Sequence, residues 1–431
     1  MRCSSRVMRS GLPGVTLVSL IAFGGCASFR PQPLEDNTFW ERVETKADGP
    51  VSVTLGVLNP QESRQAFGVE MYKHGIEPVW VRIENNDDVD YGFFPIMLDP
   101  DYFSPYEAAW KCHIFGGTVS NRKMDDFFFD EAIPIYVRAG ETIEGFVYTN
   151  LRSGVKVANI DLVSTGDLRR FEFVHEVPGL RIDYREVDFK SLYEPDEIVR
   201  VDVEGLRTLI EDLPCCTLGP DRETPGDPLN LVIVGGDPND PDDARLLVAF
   251  SRRGWDLTET ITTGSSFKTA WSSLFGGEYK TSPVSPLYVF DRSQDAALQK
   301  ARKTVDQRNH LRIWLTPILC NGQMVWIGQI SRDIGVRLSS KTIVTHKVDP
   351  NVDEAREYLV QDLIVGQSVA KIGYVAGVGP ATREKPRTNY TKDPYFTDGL
   401  RVVFFISRDP VSYDEIDLLD WRWPDSGPQE N

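Results

Sequence analysis

Short runs of alternating apolar and polar residues constrain the fold of the first half of this 431-residue chain more than any other feature. In residues 51–57, valine and leucine alternate with serine, threonine and glycine. Comparable short runs follow at 79–83, 133–137, 145–148, 157–162 and 170–174. Because successive side chains of a strand face opposite sides of a sheet, this pattern predicts an antiparallel β-sandwich over residues 50–180.

An aromatic segment at residues 94–105 interrupts these strands and contains Pro95, Pro100 and Pro105. Proline lacks a backbone donor, so a regular ladder is excluded there. We expect a packed loop that leads into a short helix near residues 106–111. An exposed binding loop is the alternative, since loops often carry binding residues.

The second half of the chain mixes strand-like and helix-like segments without strict alternation. The continuous apolar run at 229–234 predicts a strand that is covered on both faces. Apolar spacing predicts helices at 242–253 and 353–363, with Asp353 as the N-cap of the second. Further strands are predicted at 287–290, 311–315, 324–330, 341–348, 372–376 and 400–406.

These segments predict an α+β protein of two domains, in which the β-sandwich is followed by a mixed α/β domain over residues 228–425. A charged helical junction and linker is predicted between them at residues 181–227. The last residues, 426–431, are predicted to be disordered because they are polar and terminal.

The first 26 residues have the layout of a secretory signal. Three arginines precede an uncharged, apolar or small stretch at residues 15–23, and Gly24 and Gly25 lead directly to Cys26. The stretch is shorter than the about 20 residues that span a bilayer. The segment resembles a bacterial lipobox, in which the cysteine is acylated and becomes the new N-terminus.

This resemblance implies a signal peptide at residues 1–25, a lipoprotein whose palmitate-type chains sit on Cys26, and a linker at 26–49. Each buried methylene contributes about 0.8 kcal/mol to membrane binding, so several chains anchor firmly. Ala27 resembles the outer-membrane sorting pattern of Gram-negative lipoproteins. The expected location is the bacterial cell envelope, on the periplasmic face of the outer membrane if the cell is Gram-negative. An ordinary signal peptide with a chance cysteine is the alternative.

Charge and cysteine content limit the partners. The net charge of −17 argues against nucleic acid, because phosphates would be repelled. The expected partners are the lipid bilayer, through acylated Cys26, and an envelope protein or glycan. Four further cysteines remain for the folded part, and the sequence does not determine whether or how they pair: Cys112, Cys215, Cys216 and Cys320.

Several ordered blocks in the second half resemble the LssY-like C-terminal domain. They are PLNLVIVG at 228–235, SRRGW at 251–255, SPLYVFDRSQDAALQKAR at 285–302, RNHLRIWLTP at 308–317, VWIGQISRDIGV at 325–336 and THKVDPNVDEAR at 345–356. Asn309 departs from the family, which often has a second histidine at that position. The family has no established activity, so the resemblance implies a domain and no reaction.

Polar residues concentrate in these blocks and define the candidate site. We expect His310 or His346 to act as a base or ligand, Asp333 and Asp349 as carboxylate ligands, and Arg312 or Arg356 as a clamp for an anionic group; no particular metal or cofactor is implied. The alternative is a structural network of turns and ion pairs, since no HExxH or GxSxG motif occurs.

Two functions remain open at this level. The first is a non-enzymatic envelope lipoprotein that binds a partner or has a structural role. The second is a hydrolase that acts on an anionic envelope substrate, such as a phosphoester, through the histidine, aspartate and arginine side chains. The sequence names no substrate, ligand or oligomeric state.

Overall fold

The computed structural model describes residues 29–151, 155–176, 192–240, 243–258, 286–301, 308–337 and 345–424. Over these ranges the protein is α+β with two domains, which confirms the predicted fold class. The predicted signal peptide, Cys26 and the predicted disordered tail lie outside the described residues. No helix in the described ranges is long and apolar enough to cross a bilayer.

The first domain is a sandwich of two antiparallel four-stranded sheets. One sheet has the order β1-β2-β3-β6, built from Glu44–Asp48, Val51–Val57, Ile76–Asn85 and Thr142–Asn150. The other has the order β5-β4-β7-β8, built from Tyr136–Val137, Tyr91–Phe93, Val155–Ser164 and Asp167–Glu176. Alternating residues of both sheets meet in one apolar core, where Val53 and Leu55 join Ile160 and Phe173. This arrangement is the predicted sandwich.

Residues 34–48, which the sequence assigns to a linker, belong to this domain. A 3-10 helix at Thr38–Arg42 buries Phe39, whose ring lies 6.0 Å from the ring of Trp80. β1 then pairs with β2 along its whole length. These residues lack apolar alternation because β1 is an edge strand that exposes most of its side chains, so no periodic signal marks it.

Four helices accompany the sandwich in the described part of this domain: α1 Pro60–Phe67, α2 Pro95–Leu98, α3 Pro105–Lys111 and α4 Thr118–Asp130. Each of the first three begins with proline. Proline has no backbone N–H, but the N–H groups of the first turn of a helix have no partner within the helix, so no hydrogen bond is lost. The aromatic segment at 94–105 therefore contains α2 and leads into the expected α3. α3 and α4 pack side by side as a helical hairpin, and α4 was not predicted because few of its residues face the core.

The second domain is built on a ten-stranded sheet. Its main path runs β13-β16-β17-β18-β12-β23-β20-β24, with β9 beside β17 and β19 beside β18. β12 lies parallel to β23 and antiparallel to β18, so the sheet is mixed. The strands are β9 Val199–Val201, β12 Leu231–Val234, β13 Asp256–Leu257, β16 Ala296–Ala301, β17 Arg308–Cys320, β18 Gln323–Arg337, β19 Thr345–Val348, β20 Val369–Ala376, β23 Leu400–Ile406 and β24 Asp417–Leu418.

Helices cover both faces of this sheet. α6 Arg245–Ser251 and α7 Val352–Val365 pack on one face, and α5 Val203–Glu211 packs on the other. Two small sheets complete the described part, one of β10 Cys216–Leu218, β11 Pro225–Pro228, β14 Tyr288–Val289 and β15 Arg292–Ser293, the other of β21 Arg387–Thr388 and β22 Pro394–Tyr395. The predicted junction at 181–227 thus contributes β9, α5 and β10 to this domain.

Asp353 does not cap α7 as predicted. The N-cap position belongs to Asn351, whose side chain makes no capping bond. The Asp353 carboxylate instead accepts hydrogen bonds from Thr397 Oγ1 and from the Asp398 backbone, both at 2.7 Å. Tertiary contacts have therefore replaced the local cap that the sequence indicates.

A buried ion cluster joins the two domains. The Asp161 carboxylate of β7 accepts hydrogen bonds from Arg170 Nε at 3.0 Å and from Arg252 Nη2, just after α6, at 3.2 Å. Beside it, Val157 packs against Leu247 and Val248 of α6. Burial lowers the pKa of the Arg252 guanidinium, and the charge of Asp161 opposes that shift. The docking of the domains therefore depends on a carboxylate that neutralises buried arginines.

Replacing this carboxylate is expected to destabilise the protein strongly. Asp161→Ala leaves Arg252 buried without its counter-ion, which costs about 3–5 kcal/mol in comparable buried pairs. The free energy of unfolding from urea titration measures the effect. Asp88→Ala, at an exposed aspartate of the same domain, is the control and should change little. Equal losses in the two variants would contradict the importance of the interdomain cluster.

Candidate functional site

Three charged or polar side chains of β17 share one face of the central sheet. Arg308, His310 and Arg312 occupy alternate positions, and successive strand residues face opposite sides. The positions between them belong to the opposite face, where Leu311 and Ile313 pack in the apolar core under α6 and α7. The candidate site therefore begins as a polar stripe on a strand that is buried on both faces.

β18 supplies the partners of this stripe. The antiparallel register places Ser331 opposite His310 and Gln329 opposite Arg312. Arg312 Nη1 donates to Gln329 Oε1 at 3.1 Å, and His310 Nε2 lies 3.0 Å from Ser331 Oγ. Strand pairing alone therefore brings these polar side chains into contact.

Asp333 is the acidic centre of the group. Arg308 Nε donates to Asp333 Oδ2 at 3.3 Å, and His310 Nε2 lies 3.3 Å from Asp333 Oδ1. Arg308 also donates through Nη1 to Gln299 Oε1 of β16. We call Arg308, His310, Arg312 and Asp333 the polar cluster. The structure thus brings together three of the predicted site residues and adds Arg308.

The polar cluster is closed to solvent, since each of its four residues exposes 8% of its surface or less. Burial raises the pKa of Asp333 to about 6, and the neighbouring Arg308 and Arg312 oppose that shift. Burial also lowers the pKa of Arg312, which the charges of Asp227 and Asp333 oppose. The electrostatic character of the cluster is therefore that of buried charges that neutralise one another.

Asp227, on β11, is a further acidic neighbour that the sequence analysis did not single out. It accepts a hydrogen bond from Asn389 Nδ2 at 2.8 Å, and burial raises its pKa. No local pattern marks Asp227, because it comes to the cluster from another sheet. Arg308 could have been found, since Arg308, His310 and Arg312 follow the two-residue period of a strand.

Arg356 lies apart from the polar cluster. On α7 it forms two hydrogen bonds to the carboxylate of Asp398, both at 2.8 Å, and its guanidinium lies 5.4 Å from the ring centroid of Tyr374. Burial alone would lower the pKa of Arg356, but the bond to Asp398 and the charge of Asp353 raise it. Arg356 therefore connects α7 to the residues at the start of β23, and it is not positioned to bind a ligand at the polar cluster.

Asp349 and His346 are not among the residues that form the polar cluster. Asp349 Oδ1 accepts a hydrogen bond from the Asn351 backbone at 3.0 Å and closes the turn before α7. His346 lies in β19, where its backbone pairs with Val336 of β18, and its side chain lies outside what the structure describes. In the described ranges, no three histidine, cysteine, aspartate or glutamate residues are arranged to hold a metal ion.

The cysteines fall into two classes. Cys215 and Cys216, adjacent in the chain, form a disulfide, and Cys112 and Cys320 are buried free thiols. Burial raises the pKa of Cys112 to about 12 and that of Cys320 to about 11. Neither thiol is activated as a nucleophile, because the reactive form is the thiolate.

Comparison with known families assigns the second domain. Residues 211–400 match the family described as LssY C-terminus. The chain therefore carries an LssY-like C-terminal domain, and the match runs from the end of α5 to the start of β23. It includes the whole polar cluster together with Asp227 and Arg356. A comparison with curated proteins finds no match.

The raised pKa of Asp333 predicts a specific pH dependence. The unfolded chain loses this proton near pH 3.8 and the folded protein near pH 6, so the folded state binds more protons between those values. The contribution of Asp333 to stability therefore falls as pH rises through this window. In the unsubstituted protein, this carboxyl should lower the free energy of unfolding by about 1–3 kcal/mol between pH 4 and 6. In Asp333→Asn, that decrease should be absent.

Urea titrations at several pH values between 4 and 6 measure this difference. Asp88→Asn, at an exposed aspartate, is the matched control and should run parallel to the unsubstituted protein. Parallel curves for Asp333→Asn and the unsubstituted protein would show that this carboxyl is not desolvated in the fold.

Proposed function

We propose that this protein is a lipid-anchored lipoprotein of the bacterial cell envelope, and that its LssY-like domain has a binding or structural role without catalysis. The observation that carries the second part is the burial of the polar cluster, in which Arg308 and His310 both contact Asp333. The partner of such a protein would be an envelope protein or a glycan.

The physical argument concerns access. A general acid or base must come within about 2.6–3.2 Å of the proton that it transfers, directly or through one water. His310 Nε2 instead lies 3.0 Å from Ser331 Oγ and 3.3 Å from Asp333 Oδ1, and Asp333 Oδ2 accepts a hydrogen bond from Arg308 Nε. Removing one partner of such a buried ionic group leaves an uncompensated charge and destabilises the fold, which is consistent with a structural role.

The anchor is supported by the resemblance of the segment that ends at Cys26 to a lipobox. Phe29 is only three positions beyond Cys26, and its ring already lies 5.5 Å from that of Phe127 in α4. The folded part would therefore be held close to the bilayer. The Ala27 pattern favours the periplasmic face of the outer membrane in a Gram-negative cell, and the net charge of −17 argues against nucleic acid as a partner.

Substitution of the acylated cysteine tests the anchor. In Cys26→Ser, the protein should move from the membrane fraction to the soluble fraction, because the acyl chains supply most of the binding free energy. Mass spectrometry of the unsubstituted protein should find a mature N-terminus at Cys26 that carries lipid mass. Cys3→Ser is the control and should change neither result. A mature protein that begins elsewhere would overturn the proposed location.

A hydrolase acting on an anionic substrate is the second candidate, and one observation favours it. Asp333, with its pKa raised to about 6, lies beside His310 and between two arginines. Perturbed carboxyls next to histidine are frequent in active sites, and arginine binds phosphate in a bidentate manner. A substrate could reach these groups only if the cluster opened.

Assays of the purified full chain separate the two candidates. We expect no hydrolysis of p-nitrophenyl phosphate, no stoichiometric metal, and a lower midpoint of thermal unfolding in His310→Gln. Tyr413→Phe, a conservative change at an exposed side chain, is the control and should leave the thermal midpoint unchanged. Hydrolysis that disappears in His310→Gln while the thermal midpoint stays unchanged would establish the hydrolase and contradict the proposed role.

A further inference from the structure

The tip of the α3–α4 hairpin exposes large apolar side chains that the fold does not use. Trp110 and Val119 each expose 72% of their surface, and Phe115, between the two helices, is fully exposed. At the base of the hairpin, Tyr106 and Phe129 are also exposed, with their ring centroids 5.5 Å apart. Isolated exposed apolar residues are ordinary, but a contiguous group marks a contact surface.

The inward face of the same hairpin is already complete. Ala108 and Ala109 of α3 and Met124 and Phe128 of α4 are buried in one apolar cluster with the sandwich. The outward apolar residues are therefore not needed to hold the hairpin on its domain. They are therefore available to a partner.

The start of the described chain lies against this hairpin. The ring of Phe29 contacts that of Phe127 in α4. Phe29 is three positions after Cys26, and a fully extended chain spans at most about 3.5 Å per residue, so the chain can carry the anchor no more than about 10 Å from Phe29. Val119, in the first turn of α4 at the tip, lies about 12 Å along the helix axis from Phe127, at 1.5 Å of rise per residue. If Cys26 carries the lipid, the hairpin lies close to the bilayer.

The charge of the hairpin tip differs from that of the whole chain. Residues 110–124, at the tip, contain three basic side chains, Lys111, Arg122 and Lys123, and no acidic one, whereas the chain carries −17. Four acidic side chains lie towards the base of the hairpin, Glu107, Asp125, Asp126 and Asp130, so the hairpin as a whole, residues 105–130, carries −1. All three basic side chains are exposed. Basic residues close to a bilayer are attracted to anionic lipid headgroups.

We propose that the tip of the α3–α4 hairpin is a second membrane contact, in which Trp110, Phe115 and Val119 enter the headgroup region of the bilayer that holds the acylated Cys26. This inference rests on the proposed lipid anchor. Aromatic side chains favour the interface between headgroups and acyl chains, and a second contact next to the anchor would fix the orientation of both domains. The tip would then enter the leaflet, and the surface distant from the tip would stay in water.

A labelled full-length protein tests the contact. Phe115→Cys in the acylated protein would carry an environment-sensitive fluorophore, and the protein would be reconstituted in vesicles of phosphatidylethanolamine and phosphatidylglycerol. The free thiols Cys112 and Cys320 are buried and should not be labelled. Tyr413→Cys, at a side chain of the second domain that is 64% exposed, is the matched control. We expect a blue shift and shielding from an aqueous quencher at position 115 only.

A second measurement does not depend on the acyl chains. The Cys26→Ser protein should partition weakly onto the same vesicles, and adding Trp110→Ala with Phe115→Ala should reduce the partition coefficient by about tenfold or more, as expected for two large apolar side chains. Adding Tyr413→Ala instead should leave it unchanged. An unchanged coefficient in the Trp110→Ala, Phe115→Ala protein would overturn the proposed contact.

The outcomes separate the two proposals. If mass spectrometry finds lipid at Cys26 but the labels at positions 115 and 413 behave alike, the anchor stands and the hairpin contact is overturned. If no lipid is found, the proposed function fails and the partition measurement alone decides the contact. Shielding at position 115 that occurs without vesicles and grows with protein concentration would assign the surface to a second copy of the chain, which also overturns the proposal.

Discussion

Neutralisation of buried charge between β17 and β18 is the constraint on which the second domain depends. Both strands are covered on both faces, so the charges of the β17 arginines have to be compensated by carboxylates inside the protein. Asp333 meets Arg308 and His310, and the charges of Asp227 and Asp333 act on Arg312. The register of the two strands places these groups together, so the strand pairing and the polar cluster determine each other.

The same principle recurs where elements from distant parts of the chain meet. Asp161 neutralises arginines where the sandwich docks on α6, and Arg356 is neutralised by Asp398 where α7 meets β23. Loss of one partner in such a site leaves an uncompensated buried charge, which costs more than the intact pair contributes. The pairs therefore specify how strands, helices and domains fit together.

Much of the fold could be predicted because it depends on local periodicity. Alternation along Val51–Val57 fixed the sandwich, and the apolar run of Leu231–Val234 fixed a doubly covered strand. Edge strand β1 and helix α4 were missed, since each turns few side chains to the core and shows no clear period. Pairings across long sequence separations also leave no local signal.

The candidate site divides in the same way. His310, Arg312 and Asp333 were predicted together because neighbouring strands bring them to one face, and the structure places them there. Arg356 was grouped with them by sequence proximity, although α7 lies on the opposite face of the sheet. Asp227 lies on β11, in another sheet, so no local pattern links it to the cluster. The sequence could not predict whether the polar cluster is exposed to solvent, because its burial depends on elements that are distant in the chain.

Hydrogen exchange of the backbone amides of β17 and β18 tests most directly whether this interior stays closed. If the polar cluster is part of the core, these amides should exchange only through global unfolding and share the free energy of unfolding of the whole domain. Exchange about a hundredfold faster than that limit, confined to these two strands, would reveal a local opening that admits solvent to His310 and Asp333 and would contradict the account.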